Sequence, residues 1–290
     1  MSSTPTILVC GSNGQLGSEL KQLEDQFPQY DFIFTDVDEL DITERESLFT
    51  NLEVIKPDII INCAAYTAVD KAETDIENAF LINADAPFFL AEYANHNHAL
   101  LVHISTDYVF DGLKTSPYNE TDAVNPQTEY GKSKLQGDEF IMDVINPDGV
   151  IIRTSWLYSS TGNNFVKTIL RIAKEKDEIK VVDDQIGCPT WAADLALAVM
   201  KIIEQREKIS GTHLYLYSNE GICSWFEFAK KIVEYANIDC KVIPIPTKDY
   251  PLPAPRPAYS VMSKDKIIKN FGLKIPHWED SLKQMLQQLL

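Results

Sequence analysis

The sequence predicts an α/β protein built on a doubly wound parallel sheet, with a smaller C-terminal unit beside it. Three observations carry this. Short, continuous apolar runs recur through the first half, separated by stretches long enough for helices. A cluster of glycines interrupts the chain directly after the first run, and the regular alternation breaks down after about residue 155. Unbroken apolar runs suit strands covered on both faces, as in parallel sheets flanked by helices.

The elements follow in order. Thr6 to Cys10 is an apolar run that stops at Gly11, after which Leu16, Leu20 and Leu23 keep a helical spacing. Further runs lie at Phe32 to Phe34, Ile59 to Ile61, Leu100 to Ile104 and Val150 to Ile152. Residues 75–97 and 130–145 are the helices between them, carrying Ala79, Leu81, Ile82, Leu90 and Tyr93 in the first and Leu135, Phe140 and Ile141 in the second. Right-handed crossovers place such helices on both faces. Later helices are predicted near 164–175, 191–206, 225–236 and 279–289, and strands near 179–182, 212–217 and 241–245. Six prolines between Pro244 and Pro257 predict a loop. The division expected is a first domain of residues 1–155 and 176–208 and a second of 156–175 and 209–290.

Composition narrows the function. At 290 residues with 44% hydrophobic and 24% charged side chains, the chain has ample material for a buried site and is unlike a disordered segment. A formal net charge of −17 repels polyanions, so neither nucleic acid nor an anionic membrane is an expected partner. No apolar run of membrane-spanning length occurs, and Met1-Ser-Ser-Thr-Pro-Thr6 lacks the basic start of an export signal, so a cytoplasmic location is expected. Cys10, Cys63, Cys188, Cys223 and Cys240 are scattered without a C-x-x-C pair, and no metal site is expected.

Gly11-Ser-Asn-Gly14-Gln15-Leu16-Gly17 stands at the first strand-to-helix turn. Glycine there allows a tight turn and lets backbone N–H groups at a helix start approach a pyrophosphate, the arrangement of a Rossmann dinucleotide site. The second strand ends at Asp36, where a carboxylate is placed to accept from an adenosine ribose hydroxyl; this tilts the choice towards NADH, with NADPH left open. Asp41 and Ile42 fall near an adenine, and Ala64, Ala65 and Tyr66 follow the third strand, where small residues let backbone lie close to a cofactor.

At the reactive end, Tyr130 and Lys134 stand four apart on a predicted helix and share a face. Lowering a phenol from its ordinary value near 10 to neutrality takes about 4 kcal/mol. An ammonium about 4 Å away at an effective dielectric near 20 supplies an interaction of about that size. Ser105 and Thr106 end the fourth strand, where a hydroxyl can orient a substrate carbonyl.

These motifs resemble the extended short-chain dehydrogenases, and within them the dTDP-4-dehydrorhamnose reductase family. The resemblance runs over nearly the whole chain. Beside the glycine turn and the Tyr130 to Lys134 pair it includes Tyr66 to Glu73, Ser105 to Gly112, Arg153 to Tyr158, Asp184 to Thr190 and Arg256 to Ser260. It implies reduction of the C4 keto group of dTDP-4-dehydro-β-L-rhamnose by NADH or NADPH. The family's proton donor falls on Tyr130, its supporting lysine on Lys134 and its threonine on Thr106. Implied cofactor contacts are Gly14, Gln15, Leu16, Asp36, Asp41, Ile42, Ala64, Ala65, Tyr66, Ile104, Tyr130 and Lys134; implied substrate contacts are Thr106, Asp107 and Trp156, with Arg256 as a clamp for the diphosphate. Asn83 is a candidate supporting residue. Some members hold magnesium at a dimer interface, and Glu19 matches one ligand position, but Trp191, Ala192 and Ala193 stand before Asp194 where other acids would be needed. A homodimer is left open as a possible assembly.

Two rivals remain at this point. A nucleotide-sugar epimerase or dehydratase of the same fold would use the same cofactor site, although Thr106-Asp107-Tyr108 lacks the Glu after Asp that water elimination would call for. A non-catalytic, cofactor-holding regulatory subunit would not need Tyr130, Lys134 and Thr106 intact.

Overall fold

A computed structural model describes residues 4–144 and 148–289. Strand β1 (Thr6–Cys10) pairs in parallel with β2 (Asp31–Thr35) on one side and β3 (Ile59–Asn62) on the other. Beyond β3 come β4 (Leu100–Thr106) and β5 (Gly149–Thr154), again parallel. Every one of the five apolar runs is therefore a strand of one sheet. The chain leaves β1 in one direction for β2 and in the other for β3, so the sheet reverses its winding between β1 and β3. Open α/β sheets bind ligands outside the strand carboxyl ends at such a point.

Alternation along the strands explains the unbroken runs. Ile7, Val9, Ile59, Ile61, Val102 and Ile152 face one side, where α1 (Gln15–Leu23) contributes Leu16 and Leu20. Leu8, Cys10, Ile60, Leu101 and Ile151 face the other, against Leu48 and Leu52 of α2 (Arg45–Ile55). Each of these side chains leaves water completely or nearly so, worth roughly 1.5–3 kcal/mol apiece before entropy is counted.

The predicted helix over 75–97 is broken. A short turn of helix, α3 (Val69–Ala72), precedes α4 (Ile76–Phe80), then one π-helical turn over Leu81–Asp85, then α5 (Ala86–Asn97). Pro87 at the start of α5 has no N–H to offer the carbonyl of Asn83, which accounts for the break. Helix α6 (Glu129–Asp143) matches the predicted 130–145 helix to within its ends; residue 145 lies outside the described residues.

A second apolar cluster gathers α7 (Phe165–Glu175), α9 (Trp225–Tyr235) and α11 (Trp278–Leu289). In α7, Val166, Ile169, Leu170 and Ala173 recur at helical spacing and are buried, and Asn164 caps the helix by accepting from Lys167 N. Ser224 and Glu227 form a reciprocal capping box on α9. Three short pairings hold the connecting segments: β6 (Leu157–Tyr158) with β9 (Thr190–Trp191), β8 (Ile186–Gly187) with β11 (Cys223–Ser224), and β7 (Glu178–Val182) with β12 (Lys241–Ile245). Pro244 sits in β12, an edge strand of a two-stranded sheet, and residues 246–257 form the expected loop.

Two strands fall on the other side of the expected division. Strand β10 (Thr212–Tyr217), grouped by sequence with the second unit, pairs with β5 and is the edge strand of the main sheet opposite β2. Strand β7, grouped with the first, packs Ile179 and Val181 into the second cluster. Helix α8 (Ala192–Ile203) lies on the main sheet against α1, and α10 (Asp265–Phe271) joins the same core through Ile267 and Phe271. The chain crosses between the two cores more often than texture alone suggests, because an apolar strand reads the same whichever core receives it.

Candidate active site

A cleft of about 1010 Å³ opens at the carboxyl ends of β1 to β5. Of the residues singled out by sequence, Gly11, Gly14, Gln15, Leu16, Asp36, Asp41, Ile42, Ala64, Ala65, Ile104, Thr106, Asp107, Tyr130, Lys134 and Trp156 line it. Gly17, Tyr66 and Arg256 do not. Asn13, Leu40, Thr43 and Cys63, which sequence reasoning passed over, line it as well.

The glycine turn is built for close approach. Gly11 has φ +75, and a Cβ there would meet Ala64 N at 2.6 Å, so no other residue fits. Gly17 sits behind the turn, where a Cβ would collide with the backbone of Gly11 and Ser12; it lets α1 pack down on the loop. Helix α1 starts at Gly14 with no side-chain cap, leaving first-turn N–H groups beside the cleft. An uncapped helix start with a loop that tolerates no side chain fits a dinucleotide pyrophosphate. Asp36 fastens this loop to β2: its Oδ2 accepts from Asn13 N at 2.8 Å and its Oδ1 from Val37 N at 2.9 Å. Asp41 Oδ1 accepts from both the N–H and the hydroxyl of Thr43.

Tyr130 and Lys134 lie one turn apart at the start of α6, and several bonds fix that turn. Thr128 caps the helix, accepting from Gly131 N at 3.0 Å, and Glu73 Oε1 accepts from Glu129 N at 3.0 Å. Asn83, in the π turn, donates to Ser133 Oγ and to Tyr66 O and accepts from Tyr66 N, joining α6 to the loop after β3. Tyr66 is turned away from the cleft, and its hydroxyl donates to Asp75 at 2.9 Å. Lys134 is buried and donates to Ile104 O at 2.7 Å, with its Nζ 3.2 Å from His103 Nε2.

The electrostatics of the pair differ from the expected lowering of the phenol. Burial pushes Tyr130 up to about 12, with the Thr106 hydroxyl opposing and the Asp107 carboxylate adding to the rise. Desolvation of the phenolate outweighs any neighbouring cation, and the bonds of Lys134 run to His103 and Ile104 instead. Burial brings Lys134 down to about 8, against the Asp138 carboxylate and Cys63. The phenol is thus firmly protonated, the form in which it can donate.

Opposite this pair, Thr106 Oγ1 accepts from Tyr108 N and donates to Asp107 Oδ1 at 3.1 Å. Burial raises Asp107 to about 7. Trp156 projects from a backbone with φ +49, costly for a bulky residue, and its ring stacks on Trp225 with centroids 3.5 Å apart. Arg256 does not line the cleft but borders a second cavity of about 190 Å³ with Gly112, Thr128 and Tyr108, the last of which lines both. It is bound to Asp70. Glu19 is buried and accepts from Ser159 Oγ at 2.6 Å, while Asp194 accepts from Asn219 and Ser281.

The residues that sequence reasoning missed here are Asn62, Asp70 and His103. The signal for two of them was present: Asn62 ends, and His103 interrupts, an otherwise apolar run in a buried strand, and a lone polar residue there needs a partner.

Comparison with known proteins places the chain in a family. The family described as the RmlD substrate binding domain matches residues 5–290. The spore coat polysaccharide biosynthesis protein SpsK of Bacillus subtilis is 42% identical over 283 residues, covering 97% of each chain. The dTDP-4-dehydrorhamnose reductase of Aggregatibacter actinomycetemcomitans is 39% identical, covering 96% of this chain and 97% of its own. Among solved structures, the dTDP-4-dehydrorhamnose reductase of Bacillus anthracis in complex with NADP superposes with a TM-score of 0.93 at 41% identity, covering 98% of this chain and 99% of its own. With a match across almost its full length, this chain belongs to the RmlD substrate binding domain family.

Proposed function

We propose that the chain reduces dTDP-4-dehydro-β-L-rhamnose to dTDP-β-L-rhamnose with NADH or NADPH. The observation that carries this reading is that Tyr130, Lys134 and Thr106 line the same cleft as the glycine turn. The reactions named for the relatives support it.

Bound NAD(P)H supplies a hydride to C4 of the sugar. Gly11, Gly14, Gln15 and Leu16 hold the cofactor's pyrophosphate, Asp36 its adenosine ribose, Asp41 and Ile42 the adenine, and Ala64, Ala65 and Ile104 line its path towards Lys134. Tyr130 gives its phenolic proton to the carbonyl oxygen as charge develops there. The Thr106 hydroxyl orients that oxygen and Lys134 steadies the nicotinamide ribose. Asp107 and Trp156 contact the sugar, and Arg256 reaches the diphosphate. Gly17 and Tyr66 act from behind, by shaping the turn and the loop after β3. A cofactor-binding unit around the main sheet, a substrate-binding unit around the second cluster, a homodimer and a cytoplasmic setting belong to the same reading.

The test is to incubate purified protein with dTDP-4-dehydrorhamnose and each reduced cofactor. Stoichiometric loss of reduced-cofactor absorbance with formation of dTDP-rhamnose is expected. An epimerase or dehydratase would regenerate its cofactor, and a regulatory subunit would bind cofactor without turnover; either result ends the proposal.

A further inference from the structure

Asn62, His103 and Lys134 form a buried chain behind the cleft. Asn62 and His103 are opposite each other on β3 and β4, both fully buried, and Lys134 reaches them from α6 with 1% exposure. Asn62 Nδ2 lies 3.1 Å from His103 Nδ1, and His103 Nε2 lies 3.2 Å from Lys134 Nζ.

The direction of this chain is fixed at its far end. Ala64 N donates to Asn62 Oδ1 at 3.1 Å, and a backbone N–H can only donate. The amide oxygen of Asn62 must therefore face Ala64, which leaves its NH₂ facing His103. An NH₂ can only donate, so His103 Nδ1 must accept. A neutral imidazole carries one hydrogen, and it is then on Nε2, pointing at Lys134. An ammonium has three donors and no acceptor, so it would meet that hydrogen head on; an amine has a lone pair to receive it. The amine's own hydrogens still serve Ile104 O at 2.7 Å.

We propose that Asn62 and His103 are positioning residues that weaken the hold of Lys134 on its proton: His103, kept as its Nε2–H tautomer, favours the amine, which accepts from it, over the ammonium. The lysine is then a cation whose charge is poised to change near neutrality, rather than a fixed one. Other groups facing it are Asp138 on its own helix and Cys63 after β3; both favour the ammonium, and burial opposes them more strongly. Burial also keeps His103 neutral, well below the usual imidazole range.

Only the kinetic part of the test rests on the reductase reading. Nitrogen and carbon NMR of the full chain, with the His103 signals identified by their loss in His103→Gln, reports the tautomer directly. Nε2–H is expected throughout the neutral range; Nδ1–H, or a charged imidazolium, overturns the proposal even if the enzyme is a reductase. Asn62→Asp keeps the shape but accepts from both Ala64 N and His103, which reverses the chain. In that variant His103 should switch to Nδ1–H, and the alkaline limb of the kcat/KM profile should move up by at least about one unit, tenfold in proton affinity. An unswitched tautomer with an unmoved limb counts against it. Should Asn62→Asp not fold, the tautomer of the unmodified protein still decides. Loss of reductase activity in every protein, with the expected tautomer present, would instead remove the functional reading and leave this one standing.

Discussion

Arg256 and Asp70 hold each other with two parallel bonds, Nη1 to Oδ1 at 2.9 Å and Nη2 to Oδ2 at 2.7 Å, tying the loop after β12 to helix α3. Ala254 N adds a third bond to the same carboxylate. A diphosphate reaching for this guanidinium must compete with a partner already in place. Asp70→Asn should therefore lower KM for the nucleotide sugar about fivefold, the equivalent of roughly 1 kcal/mol for a partly exposed pair. An unchanged KM would separate Arg256 from the diphosphate. Arg256 holds Asp70 below the usual carboxylate range, so the pair's contribution to stability is present above the unfolded value near 4 and is lost as pH falls through the lower folded value. Urea unfolding of the two proteins should show a small gap at pH 7 that narrows in acid.

Tyr130→Phe keeps the ring, including its edge-to-face contact with Tyr108 at 5.4 Å, and removes only the hydroxyl. Turnover should fall by about 10²–10⁴, the usual share of a general acid, while cofactor affinity and melting temperature stay close to those of the parent. Because burial pushes the phenol up to about 12, no loss of rate from its deprotonation is expected between pH 6 and about 10; any alkaline limb near 8 belongs to another group, and Lys134 is the candidate. Steady-state kinetics across this range, with calorimetry of cofactor binding, checks both statements.

The sheet was legible because each of its first five strands is apolar on both sides, a pattern imposed by helices on both faces. The glycine turn and the four-residue spacing of Tyr130 and Lys134 were legible for the same kind of reason, since local geometry dictates residue type. What spacing could not reach is partnership across the fold. Arg256 and Asp70 are 186 positions apart, and nothing local in either says that the other awaits it. The break at Leu81–Asp85 was hidden because its side chains keep a helical pattern while Pro87 withholds one N–H. The expected lowering of Tyr130 failed because a spacing argument counts the nearby charge and omits the water removed from the phenol.

Gly187 and Trp156 supply a third test. A Cβ at Gly187 would sit 2.7 Å from two atoms of the Trp156 indole, which is already held by its stack on Trp225. Gly187→Ala must push the indole towards the cleft or break the stack, which is worth about 0.5–1.5 kcal/mol beyond burial. A rise of severalfold to tenfold in KM for the sugar is expected, with cofactor affinity unchanged, because the atoms that a Cβ at Gly187 would meet belong to Trp156 and Ser260 and not to the glycine turn. Altered tryptophan fluorescence should accompany it. Equal loss of sugar and cofactor binding would mean that the substitution damages the fold rather than the substrate side.

Asp138 carries the last prediction, since it is two turns beyond Tyr130 on α6 and accepts from Arg153 Nε of β5 at 2.9 Å. Both side chains are almost wholly removed from water, at 0% and 3% exposure. Removing one partner leaves a buried charge alone, which costs about 3–5 kcal/mol, whereas an exposed pair would cost almost nothing. Asp138→Ala should therefore lower the melting temperature by roughly 10 °C at a few degrees per kcal/mol. Because the same bond anchors the helix that presents Tyr130 and Lys134, turnover should fall even at temperatures where the variant is fully folded, and Asp138→Asn, which keeps an acceptor for Arg153, should recover part of both. Calorimetry and kinetics on the two variants check this; a melting temperature for Asp138→Ala within about 2 °C of the parent, far short of the roughly 3–5 kcal/mol expected, would show that α6 is anchored elsewhere.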